Sequence, residues 1–129
     1  PPHGVETLLL VEDEPRLRAL AALGLRRLGY RVLEAPDAES ALELIEKGDP
    51  PVDLIFTDAV MPGMSGVELA RRAKALAPEI VVLLTSGHAE GLGEEVVCDI
   101  VPKPYTPDDL AIRIRAAIDA ARGSSASST

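Results

Sequence analysis

Apolar residues along this chain fall into short runs separated by stretches of helical spacing. Leu8-Leu9-Leu10-Val11 is an unbroken apolar run ended by Glu12-Asp13-Glu14, which predicts a first strand. Pro15 suits the first turn of a helix, where its missing N–H costs nothing. Leu17, Leu20, Ala21, Leu25 and Leu28 then predict one apolar helical face, and Gly29 stops it. Tyr30 to Ala35 reads as a second strand. Asp37 is placed to cap a helix through Ala38, Ala41, Leu42 and Ile45, closed by Gly48 and two prolines. Val52 to Thr57 predicts a third strand. Ser65 and Glu68 have capping-box spacing and open a helix along Val67, Ala70 and Ala73. Ile80 to Leu84 and Ile100-Val101 predict the fourth and fifth strands. Thr106, Pro107 and Asp109 give N-cap, first-turn and N3 signals for a last helix, with Leu110, Ile114, Ala117, Ile118 and Ala121 as its stripe.

Strands alternating with helices imply βαβ units and a parallel sheet, and strands without polar alternation imply burial on both faces. Right-handed crossovers then place helices on both sides, in a doubly wound α/β fold. Residues 1–5 read as a linker, 6–122 as one domain and 123–129 as a flexible tail. Only 16 residues, 87–102, separate Ser86 from Lys103, and Gly87, Gly91 and Gly93 weaken helix formation there. The helix before the fifth strand is therefore expected to be short or irregular, and residues 87–98 the least ordered internal segment.

Composition narrows the function classes. A formal net charge of −8 over 129 residues leaves no whole-domain footprint for nucleic acid and no attraction to anionic membranes. Only Phe56, Tyr30 and Tyr105 are aromatic, too few for a base-stacking surface. One cysteine, Cys98, excludes an internal disulfide and a multi-cysteine zinc site, and two histidines, His3 and His88, leave little for a His-based metal centre. No apolar run approaches 18 residues, so a soluble cytoplasmic chain is expected.

Open α/β sheets bind ligands outside the carboxyl ends of their strands. Those ends carry Glu12 and Asp13, then Asp58, then Thr85-Ser86, then Lys103. Three carboxylates at one edge repel unless a cation joins them, and an all-oxygen donor set favours Mg²⁺ over zinc. A lysine and a hydroxyl nearby suit a phosphoryl group, and one carboxylate is a candidate nucleophile forming an aspartyl phosphate. Read without that context, the acids are helix N-terminal charges, Asp58 a turn former and Lys103 a solvated loop residue. Thr85 is read as an ordinary strand-end hydroxyl, His88 as a surface residue, and Cys98 as a small apolar filler.

At these residues the chain resembles the receiver domains of two-component response regulators. The resemblance rests on Leu9-Leu10-Val11-Glu12-Asp13-Glu14, on Asp53 through Gly66 with its Asp58-Ala59-Val60-Met61-Pro62-Gly63 core, on Leu84-Thr85-Ser86-Gly87-His88 and on Lys103-Pro104-Tyr105. It implies a flavodoxin-like five-stranded sheet in the order 2-1-3-4-5. It implies Asp58 as phosphoacceptor; Glu12, Asp13, Asp58 and the Val60 backbone carbonyl as Mg²⁺ ligands; Ser86 as the switch hydroxyl; and Lys103 as the lysine that pairs with the phosphoryl group. Partners would be a histidine kinase or a histidine phosphotransfer domain. The opening Gly4-Val5-Glu6-Thr7 and the Ser86-Gly87 pair look similar to receivers at the C-terminal ends of hybrid histidine kinases, a stand-alone regulator being the alternative. No output domain is expected after the last helix, and the chain reads as a signalling module, not a turnover enzyme.

Two features depart from the family. The 87–102 segment is short, and Ile100 stands where an aromatic switch residue is usual. A cis Lys103–Pro104 bond is expected as well. A Mg²⁺-dependent aspartyl-phosphate phosphatase of the haloacid-dehalogenase type shares the Asp, hydroxyl and lysine. It carries its nucleophile after the first strand in an Asp-x-Asp pattern, which Glu12-Asp13-Glu14 does not provide. A degenerate receiver used only for binding is the third reading, opposed by the complete residue set.

Overall fold

The computed structural model describes residues 2–86 and 99–127. Along them run β1 (Thr7–Val11), α1 (Pro15–Arg27), β2 (Arg31–Ala35), α2 (Ala38–Lys47), β3 (Leu54–Asp58), α3 (Gly66–Leu76), β4 (Val81–Ser86), β5 (Asp99–Pro102) and α4 (Pro107–Ser127). The strands form one parallel sheet in the order β2-β1-β3-β4-β5, as expected. The expected short helix between β4 and β5, the order of residues 87–98, His88 and Cys98 all lie outside the described residues.

Strict alternation splits the apolar strands between two layers. Leu8, Leu10, Leu54, Phe56, Leu83 and Val101 pack with Ala22 and Leu25 of α1 and with Leu110, Ile114 and Ile118 of α4. Leu9, Val11, Ile55, Val82 and Leu84 pack with Ala38, Ala41 and Ile45 of α2 and with Leu69 and Ala73 of α3. The central strands β1, β3 and β4 are covered on both faces, which is why they read as unbroken apolar runs.

The helix ends follow their local chemistry. Asp37 accepts the Ser40 N–H at 2.8 Å, and Gly48 closes α2 in the left-handed region at φ 64°. Ser65 accepts the Glu68 N–H at 3.1 Å. Thr106 and Asp109 cap each other reciprocally, at 3.0 and 3.1 Å. Asp49–Pro50 and Lys103–Pro104 are both cis.

One expectation is corrected by the packing. Leu17 and Leu20, expected on the apolar face of α1, are 56% and 60% exposed. The buried line runs through Ala22 and Leu25, because small Ala22 lets the helix approach the sheet closely. Just before β1, the Gly4 N–H donates to the Leu28 carbonyl at 3.1 Å and the Val5 N–H to Glu6 at 3.1 Å. A Cβ on Gly4 would overlap the Tyr30 ring, so this segment lies against the domain. The last helix, α4, runs through Gly123 to Ser127; one glycine costs only about 1 kcal/mol of helix propensity.

Candidate functional site

The register assembles the carboxyl edge before any side chain is considered. Val11 pairs with Thr57, so the next residues, Glu12 and Asp58, stand side by side. Asp58 in turn pairs with Thr85, and Ser86 with Pro102, which brings Lys103 to the same edge. By alternation Glu12, Asp58 and Lys103 are in phase with Leu10, Phe56 and Val101, on the α1–α4 side of the sheet.

Asp58 is held from two directions. Lys103 Nζ donates to Oδ2 at 2.5 Å, and the Val60 N–H donates to Oδ1 at 3.0 Å. The Asp58 side chain is 12% exposed and that of Lys103 39%, so the pair sits at the floor of an open edge. The Ser86 carbonyl accepts the Lys103 N–H at 3.2 Å, fixing the lysine backbone to the end of β4. Ser86 itself is buried. Thr85 is buried too, and its hydroxyl donates to the Val101 carbonyl at 2.9 Å, in keeping with the structural role read for it.

Glu12 is nearly buried; its backbone N–H donates to Ala35 and its Oε2 accepts the Glu14 N–H at 3.1 Å. Burial pushes the Glu12 carboxyl above the usual carboxylate range, and the neighbouring carboxylates of Asp13 and Asp58 push the same way against the Glu14 hydrogen bond. Asp13 is exposed beside it. Among the described residues, no group of three or more His, Cys, Asp or Glu side chains is drawn together closely enough to hold a metal ion. The donor chemistry at the edge still fits a hard divalent cation: carboxylates only, mutually repelling, with one already neutralised by an ammonium. They stand as neighbours along one edge and do not form a closed chelate.

Two residues stand at this edge that sequence reasoning did not assign. Tyr105 packs edge-on against Phe56, with ring centroids 5.6 Å apart. Burial raises its phenol pKa, and the charges of Glu12 and Asp58 act in the same direction. Its position directly after Lys103-Pro104 was the available signal. Gly66 abuts the Asp58 backbone, a contact between segments that sequence spacing does not reveal.

A doubly wound parallel sheet with a lysine-countered acidic edge defines the class to which this protein belongs. Residues 8–115 match the response regulator receiver domain, and the chain is a member of that family, the receiver of two-component signalling systems. It is 35% identical over 117 residues to the sensor kinase CckA of Brucella abortus, covering 87% of this chain and 12% of that protein. It is 36% identical over 120 residues to the phosphate regulon transcriptional regulatory protein PhoB of Pseudomonas aeruginosa, covering 88% and 52%. Among solved structures, the receiver domain of the hybrid histidine kinase CckA superposes with a TM-score of 0.75 at 36% identity, covering 87% of this chain and 98% of that one. The chain thus spans about half of one curated relative and a small part of the other.

Proposed function

We propose that Asp58 is the phosphoacceptor, taking a phosphoryl group from a phosphohistidine on a histidine kinase or a histidine phosphotransfer domain. The carrying observation is the Asp58–Lys103 contact at 2.5 Å on the strand-end edge. The carboxylate oxygen attacks phosphorus, the P–N bond of the protonated phosphohistidine breaks with its electron pair going to the ring, and neutral imidazole leaves, keeping the proton on its other nitrogen. Lys103 and the Val60 N–H orient the carboxylate, and the Lys103 ammonium remains to neutralise charge that builds on the phosphoryl oxygens. Ser86, at the end of β4, is the proposed switch hydroxyl. Glu12, Asp13, Asp58 and the Val60 carbonyl are the proposed Mg²⁺ ligands. Bound there, Mg²⁺ would offset carboxylate repulsion and the incoming phosphate charge. Hydrolysis or back-transfer then discharges Asp58, so the domain acts as a cytoplasmic signalling module without conventional turnover. A degenerate, binding-only receiver is disfavoured by the same contact, which a solvated loop lysine would not make.

Treatment with acetyl phosphate or phosphoramidate, followed by intact-mass measurement, tests the assignment. Wild type should gain one acid-labile phosphoryl group and Asp58→Asn none, with unchanged circular dichroism. Equal labelling of the two proteins would move the acceptor elsewhere.

A further inference from the structure

The first residue of α3 touches the chain at Asp58 more closely than any side chain would allow. A Cβ built on Gly66 would lie 1.9 Å from the Asp58 carbonyl oxygen, 2.8 Å from its carbonyl carbon and 3.0 Å from Ala59 Cα. The contact is reinforced by the Gly66 N–H, which donates to the Ala59 carbonyl at 3.0 Å. All three obstructing atoms are backbone, so no side chain can rotate away to make room.

The glycine is not needed for its backbone freedom. Positive φ occurs at Gly29, Gly48 and Gly63, and not at Gly66. Helix propensity on its own would favour alanine at this position. The requirement is therefore space alone, and the space lies against the peptide of Asp58.

We propose that Gly66 is a positioning residue for the reaction at Asp58: by letting the start of α3 rest on the Asp58–Ala59 backbone, it sets where the carboxylate stands relative to Lys103. This rests on Asp58 being the acceptor. Any larger residue must drive α3 and the end of β3 apart. Asp58 is fixed to Lys103 Nζ at 2.5 Å and to the Val60 N–H at 3.0 Å, so a displacement of its backbone lengthens or reorients both contacts. Misplacing a reacting group by about 1 Å costs on the order of a hundredfold in rate. The seven residues 59–65, which carry Val60 and close on α3, would shift with it.

The test compares Gly66→Ala with Leu69→Ala. Leu69 is fully buried on the same helix, in the α2–α3 layer, and its truncation adds no atom at the Gly66–Asp58 backbone contact. Labelling rates with acetyl phosphate and Mg²⁺ are measured across donor concentrations, at a temperature below both thermal midpoints. Gly66→Ala should lose about tenfold or more in maximal rate, whereas Leu69→Ala should melt earlier yet label within about twofold of wild type. Wild-type labelling by Gly66→Ala, or an equal loss in Leu69→Ala, would overturn the proposal. If Gly66→Ala does not fold, the wild-type protein decides: on labelling, the Gly66 amide resonance should shift more than those of Ala70 and Ala73. An equal or smaller shift at Gly66 overturns it. Asp58→Asn is run alongside. Loss of label there with a wild-type rate in Gly66→Ala removes the positioning role alone. Retained label removes the acceptor assignment and this inference with it.

Discussion

Glu6 shows how much one side chain can tie together away from the candidate site. Its carboxylate, 5% exposed, accepts from Arg115 through both oxygens at 3.0 and 2.9 Å and from Arg122 at 2.7 Å. Arg115 also donates to Asp119 at 2.9 Å, so α4 is fastened to the start of β1. The Arg115 hydrogen bonds hold the Glu6 carboxyl at about 2, below the ordinary 4.5, although burial opposes them. A carboxyl with a lowered folded-state pKa stabilises the fold fully above its unfolded value. That contribution is lost as pH falls from about 4.5 through about 2. Its full size is at most about 3 kcal/mol, less for the screening that exposed Arg122 permits. Glu6→Gln should therefore lower the urea midpoint clearly at pH 7, and the gap to wild type should narrow below pH 4. A gap independent of pH would show that packing, and not charge, accounts for the loss. At Asp58 and Lys103 sequence reasoning reached the residues themselves, because strand ends of a parallel sheet are ordered by topology. It did not reach Gly66, whose role depends on a backbone approach between two segments.

On the scale of elements, caps were legible and faces were less so. Asp37, Ser65 and Thr106 each sit at the helix start that their chemistry indicates, since a cap needs only its own next three residues. The face of α1 was not legible because four leucines and three alanines leave more than one apolar line, and the choice among them is made by how closely the helix meets the sheet. Leu25, 2% exposed, should lose about 2–5 kcal/mol on truncation to alanine. Leu20→Lys should stay within about 0.5 kcal/mol of wild type. Chemical denaturation of both variants checks this. A large loss in Leu20→Lys would return that residue to the core.

At the scale of the whole molecule, the acidic edge links metal binding to stability. A ligand that binds only the folded state stabilises it by about 1.4 kcal/mol at ten times its dissociation constant. Millimolar Mg²⁺ should therefore raise the thermal midpoint, and Asp13→Asn should diminish the rise. A midpoint indifferent to Mg²⁺ in wild type, with no heat of binding by titration, would count against the proposed ligands. None of the helices among the described residues is long and apolar enough to cross a membrane.

The linear chain by itself determined the alternation of strands and helices, the helix caps and the identity of the residues at the strand ends. These depend on period, on local hydrogen bonding and on the rule that a buried parallel strand must be apolar on both sides. Tertiary structure alone decided which side of α1 is covered, that residues 2–6 lie against α4 and the Gly29 turn, and that Gly66 rests on Asp58. In each of these, two segments distant in sequence compete for the same few ångströms, and only the packed fold states how that space is shared.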